Sequence, residues 1–222
     1  VTPNNGMLEV KLECIRPDME IHYTTDGSEP TATSPLYEKI VPVKEALTLK
    51  GATFAHGRQM GKTLILPVRW NLATAKPVLG TNPTEKLLTN GIRGSLKYSD
   101  FEWCSWADND SVSFTIDLLK PEMLNTLTLG CITNNGMAIH KPASVRVEVS
   151  DDNSKFREAV VQSFTSEEIF REGNFIENLS LKLGGTQARY VRVTAKGPGV
   201  CPASHVRPGQ TSRIFFDEVM LE

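Results

Sequence analysis

The sequence predicts an all-β protein made of two β-sandwiches in tandem, and three observations carry that reading. Apolar and polar residues alternate at period two through most of the chain, as they do in strands with one buried and one wet face. Turn-forming pairs separate the alternating runs, at Asp26-Gly27, His56-Gly57, Asn90-Gly91, Asn135-Gly136, Asp152-Asn153 and Gly184-Gly185. Helical periodicity is nearly absent.

The first run sets Leu8, Val10, Leu12 and Cys14 against Glu9, Lys11 and Glu13. Ile21 and Tyr23 follow, and the polar run "YTTDGSEPTATS" (23–34) then reverses the chain. There Gly27 supplies a positive φ, Asp26 can bond its own backbone two residues on, and Pro30 cannot donate to a ladder. Leu47 and Leu49 mark another strand, and "LILPVRW" closes the first half. In "WNLATAKPVLGTNPTEK" (70–86) two prolines and a glycine interrupt the alternation. This divides the chain into 1–72 and 73–222. The second half alternates through Val112, Phe114, Ile116 and Leu118, through Val145, Val147 and Val149, and through Leu179, Leu181 and Leu183. Tyr190, Val191 and Val193 alternate less strictly. "TSEEIFREG" can form one helical turn, with Thr165 and Glu168 placed as a capping box.

Of 222 residues, 24 are Lys or Arg and 26 are Asp or Glu, so no basic field exists to gather nucleic acid. No apolar stretch approaches the roughly 18 residues of a membrane-spanning segment. The chain opens at Val1 with neither an initiator Met nor a charged and apolar leader, as expected of a piece of a longer polypeptide. Cys14, Cys104, Cys131 and Cys201 lack the C-x-x-C spacing of zinc sites and read as small hydrophobes, their pairing left open. The four histidines, 22, 56, 140 and 205, show no i, i+4 pair among themselves.

The stretch Ile21 to Ser28, with Pro30, Ser34, Tyr37 and Gly57, resembles the small Ig-like domain that follows the barrel in chitobiase and bacterial β-N-acetylhexosaminidases. The likeness spans about residues 5–68. Six segments after it, "LLTNGIRGS" (87–95), "FEWCSW" (101–106), "VSFTIDLLK" (112–120), "PASVRVEVSDDNSKF" (142–156), "RYVRVTAKG" (189–197) and "IFFDEVMLE" (214–222), resemble in order a discoidin-like jelly roll. This is the coagulation factor 5/8 type C fold, also used as a carbohydrate-binding module. The subtype is similar to the one attached to β-hexosaminidases, and sometimes to α-L-fucosidases, of glycan-degrading gut bacteria. Its late loop usually reads GVCP-x-W-H-x-G; here it reads "GVCPASHVRPG" (199–209), with Ser204 where an aromatic is typical.

The candidate sugar contacts are Trp103 and Trp106, whose indoles either stack on a sugar or cap the sandwich end. Asn134, Asn135 and His140 in "TNNGMAIHKP" (133–142) and His205 and Arg207 in the late loop are polar groups suited to hydroxyls at a loop mouth. The resemblance also implies a structural calcium, held by carbonyls of a "DG" loop and a Glu near the last strand. Here Asn90 and Glu218 stand at those places, with the loop aspartate lost, so the alternative is a loop pinned by Glu218 without metal.

Adjacent on one strand, Asp217 and Glu218 point to opposite faces and cannot flank a glycosidic bond. The chain by itself is therefore expected not to be an enzyme. The resemblance implies a non-catalytic accessory region of a periplasmic, outer-membrane-associated or secreted β-N-acetylhexosaminidase. Its partners would be the parent catalytic domain and a glycan containing N-acetylhexosamine or galactose. Two alternatives stand beside this: a purely structural spacer or dimer contact, and the same region of an α-L-fucosidase or another exoglycosidase.

Overall fold

A computed structural model describes residues 1–106 and 111–222. The first part lays down β1 (Thr2–Asn4), β2 (Met7–Val10), β3 (Glu20–Thr24), β4 (Val41–Val43), β5 (Leu47–Ala55), β6 (Arg58–Gln59) and β7 (Leu64–Val68). They form two antiparallel sheets, β1-β2-β4 and β3-β5-β6, with β7 on β5. Leu8, Val10, Val41 and Val43 of the first sheet share one core with Leu49 and Val68 of the second, which is the small sandwich that the alternation predicts. Burying each such side chain contributes roughly 1.5–3 kcal/mol.

The run after β3 is held by its own short side chains. The carboxylate of Asp26 accepts the Ser28 amide (3.0 Å) and hydroxyl (2.6 Å), and Gly27 sits at φ 79°. Nδ1 of His22 donates to the Ser34 carbonyl at 2.6 Å, and Tyr23 meets Tyr37 edge to face at 6.4 Å. Glu29 then pairs with Lys50 and accepts from Thr63, fastening the turn to β5.

The second part comprises β8 (Val78–Leu79), β9 (Cys104–Trp106), β10 (Ser111–Asn134), β11 (Ser144–Ser150), β12 (Arg157–Ser163), a helical turn α1 (Ser166–Ile169), β13 (Asn174–Lys196) and β14 (Ile214–Leu221). The strand order is β12-β11-β13-β10-β14-β9, with β8 on β10. Antiparallel β10 and β13 run together from Ser111↔Lys196 to Asn134↔Asn174. Their register shifts between Asp117 and Glu122 and between Leu124 and Thr126. A shift of one residue exchanges the two faces of a strand. Accordingly Val112, Phe114, Ile116 and Leu118 are buried before it, and Leu127, Leu129 and Cys131 after it. Both arms of this ribbon contribute to a single core, joined by Val145, Val147 and Val149 of β11. The ribbon thus doubles over itself as a jelly roll. The capping box on α1 forms as the sequence predicts, with Thr165 and Glu168 bonded reciprocally.

Residues 71–92 are fastened on both sides. Ala73 and Leu88 lie in the larger core, Ala75 and Ile92 in the smaller one. The Gly6 amide donates to Ala75 (2.8 Å) and the Arg69 amide to Gly91 (2.9 Å). The segment that joins the two sandwiches is thus packed against both cores. No helix among the described residues is long and apolar enough to cross a membrane.

Candidate functional site

At one end of the jelly roll β10 runs out into a 3-10 turn, Asn135–Met137, which Asn134 caps by accepting the Met137 amide. The turn leaves through Ala138 in the left-handed region, φ 51°, where the sequence suggested Gly136 as the special position. The next residues bond the strand leading into β14: Arg213 N–H donates to Ala138 (2.9 Å) and His140 N–H to Arg213 (3.1 Å). The late loop closes on itself, with Cys201 N–H donating to Gln210 (2.9 Å) and Gly209 N–H to Cys201 (3.0 Å).

Between turn and loop lies a cleft of about 110 Å³, lined by Asn135, Phe170, Glu172, Pro202, Ser204, His205 and Val206. Enclosing pockets measure roughly 300–1,000 Å³, so this one has room for an edge or face of a small molecule and does not surround one. A larger groove of about 180 Å³ on the first sandwich, lined by Lys11, Leu12, Ile21, Thr53 and Leu64 among others, has no comparable convergence of Asn, His and Glu.

Asn135, His140 and His205 come together here. Nδ1 of His205 accepts the Arg207 amide at 3.0 Å, so Nε2 carries the proton when the ring is neutral. The Asn135 side-chain amide lies 3.3 Å from that Nε2, and turning the amide lets its oxygen accept the ring N–H. His140 lies behind, fully buried, its ring 4.9 Å from His205 and 5.0 Å from Phe170. Neither of its ring nitrogens makes a hydrogen bond, a loss on the order of 1–3 kcal/mol for a buried polar group. Burial first, and then His205, push its pKa down to about 4. Cys201 completes the group, since a ligand atom from each of His140, Cys201 and His205 lies within 4.8 Å of the others. Spacing of like residues could not reveal this: the sequence signal is the mixed pair C-x-x-x-H at 201 and 205. Phe170 and Glu172, which wall the cleft, sit in a segment readable only as a helical turn. Arg207 has an exposed side chain outside the cleft lining.

The tryptophans belong to the interior, which corrects the stacking alternative. Trp106 is buried in β9, stacked on Phe114 (6.1 Å, 13°) and edge-on to Phe216 (5.7 Å). Trp103 is buried too, donating from Nε1 to the Ser95 carbonyl at 3.1 Å. Its indole lies against Gly94, where a Cβ would come within 2.4 Å of the ring. Residues 104–106 pair with β14, which turns Trp106 into the main core, while Trp103, just before the strand, packs in a separate cluster with Ile132, Ile139 and Phe215. The exposed apolar side chain on the cleft is Val206.

Asn90 and Glu218 meet in the same loop, held by hydrogen bonds. Both carboxylate oxygens of the fully buried Glu218 accept the Gly91 amide, at 3.2 and 3.1 Å. Asn90 accepts the Ile92 amide on Oδ1 (2.9 Å) and donates from Nδ2 to Glu102 (2.8 Å). The side-chain oxygens of Asn90 and Glu218 are thus engaged by loop amides, the arrangement of a loop pinned directly by Glu218. Desolvation raises the pKa of Glu218 well above the ordinary carboxylate range, and that of Glu102 as well. Asp217 is also fully buried but is held by different partners, Arg93 at 2.6 Å and the Gly94 amide at 3.0 Å. The two carboxylates share no cleft.

Residues 4–64 match the chitobiase/beta-hexosaminidase C-terminal domain family, and residues 73–206 match the F5/8 type C domain family. No curated protein matches the chain. Among solved structures, CpGH89CBM32-6 from Clostridium perfringens aligns at 18% identity and TM-score 0.45, covering 69% of this chain and 98% of that one. A fucose binding module of Streptococcus pneumoniae aligns at 17% and 0.42, covering 69% and 97%. The C-terminal domain of a chitobiase from Bacteroides fragilis aligns at 16% and 0.37, covering 62% and 78%.

Proposed function

Because the chain belongs to the F5/8 type C domain family through residues 73–206, we propose that it is the non-catalytic accessory region of a β-N-acetylhexosaminidase, with a jelly roll that recognises glycan. The order of the two family matches, chitobiase-type domain first, supports that parent. The observation that carries the recognition half is the loop-end cleft, where the Glu172 carboxylate and the Asn135 side-chain amide, oriented by His205, offer hydroxyl partners beside the apolar Phe170 and Val206. Its glycan ends in N-acetylhexosamine or galactose, and the region works outside the cytoplasm, where such polymers are met. Holding a catalytic domain near its polymer raises effective concentration even when a single contact is weak. Hydrolysis belongs to the parent's catalytic domain.

Titration with N-acetylglucosamine, N-acetylgalactosamine and galactose, followed residue by residue by NMR, tests this. Shifts confined to the amides of Asn135, His205, Val206 and their neighbours are expected at millimolar sugar. An unchanged spectrum for all three sugars retires the recognition half.

A second reading, the structural spacer, draws on the small cleft, the exposed Ser204 and the burial of Trp103 and Trp106. That reading expects no sugar response at all. We propose no calcium for either reading, because Glu218 already clamps its loop directly.

A further inference from the structure

We propose that His140, Cys201 and His205 form a zinc-binding site behind the cleft. Imidazole and thiolate are the ligands zinc prefers, and structural or exchangeable sites draw them from loops whose backbone is fixed elsewhere. That is the situation here. Arg213 holds the His140 backbone, and the Gln210 and Gly209 bonds hold Cys201. All three side chains are buried, and their ligand atoms lie within 4.8 Å of one another.

The independent observation is His140 itself. It is fully buried, and neither ring nitrogen has a hydrogen-bond partner. A histidine present only to fill space would be replaceable by an apolar ring like the adjacent Phe170. The Cys201 thiol has the Ser212 hydroxyl at 3.4 Å as its polar neighbour, a weak contact that leaves sulfur available. His205 is the costly ligand. It accepts from the Arg207 amide and meets Asn135, and one of these bonds gives way when the ring ligates.

On binding, the thiol proton leaves to solvent and three protein bonds form to the ion. A tetrahedral zinc is then one ligand short. Because His205 also borders the cleft, water or an oxygen of whatever the cleft holds takes that place.

Cobalt(II) titration of the reduced chain, with zinc(II) as competitor and no sugar present, tests the site. One equivalent should give a thiolate-to-cobalt charge-transfer band in the near ultraviolet and intense visible bands of four-coordinate cobalt, both abolished by zinc. Cys201→Ser should remove the charge-transfer band. His140→Gln should weaken zinc binding at least about tenfold. Cys14→Ser, on the other sandwich, should change neither. X-ray absorption of the zinc-loaded unmodified chain gives a second readout should a loop variant fail to fold, and it should find one sulfur with nitrogen neighbours. No cobalt spectrum at excess metal, a charge-transfer band that survives Cys201→Ser, or a zinc shell without sulfur overturns the proposal. Sugar binding is measured separately, so either proposal can fail alone.

Discussion

Glu218 and Gly91 stand 127 positions apart, yet both carboxylate oxygens of the first accept the amide of the second. The clamp ties the last strand to the seam between the sandwiches. It also buries an acid beside Asp217, with no cation bonded to it directly. A pKa raised by burial means that the folded state holds its proton longer than the unfolded chain does. Stability is therefore full below the ordinary glutamate pKa and falls as pH rises toward the folded value. Glu218→Gln keeps an oxygen for Gly91 and removes the titration. Melting temperature followed from pH 4 to pH 9, a span set by roughly the ordinary acid and base range, should fall less steeply in the variant. An equal slope in both proteins would contradict the assignment.

Gly91→Ala should destabilise both sandwiches together. The residue sits at φ 74°, and a Cβ there would lie 2.6 Å from the Arg69 carbonyl and 3.4 Å from Leu8. Forcing an L-residue into such a position costs on the order of 1–3 kcal/mol, and the backbone clash adds to it. Urea unfolding monitored on both domains measures it. A loss confined to the jelly roll would show that the seam does not couple them.

Trp106→Ala should cost roughly 3–5 kcal/mol, as expected for a large aromatic removed from a filled core, while any glycan contact made by the folded fraction is unchanged. Chemical denaturation gives the first number and the sugar titration the second. A stable variant with weakened sugar binding would return Trp106 to the site.

Ser204→Trp should tighten sugar binding several-fold if the cleft lacks only a stacking surface, since an aromatic contact adds roughly 0.5–1.5 kcal/mol. Ser204 is exposed on the cleft wall, so the indole needs no repacking of the core. Calorimetry on the two proteins decides. Equal affinity would mean that the loop does not face the sugar.

Thiol alkylation at mild alkaline pH should modify Cys14 first. All four cysteines are free, and Cys14 is the half-buried one. Burial pushes the Cys104 thiol up to about 12 and raises that of Cys131 too, so both stay protonated and out of reach. Mass spectrometry of labelled peptides checks it; early labelling of Cys131 would mean that the core opens.

Period-two alternation and the turn pairs determined the all-β fold by themselves, because a strand's face is a local matter: Val112, Phe114 and Ile116 point inward wherever the strand lies. The capping box at Thr165 and Glu168 was legible for the same reason, its partners being three residues apart. Only tertiary structure decided the fate of Trp103 and Trp106. An indole that can stack on sugar can equally fill a core: pairing of 104–106 with β14 sets Trp106 against Phe114 and Phe216, and Trp103 fills a separate cluster with Ile132, Ile139 and Phe215. The gathering of His140 with Cys201 and His205 likewise depends on where β10 ends and the late loop returns. The burial that strips His140 of partners exists only once distant segments have closed over it.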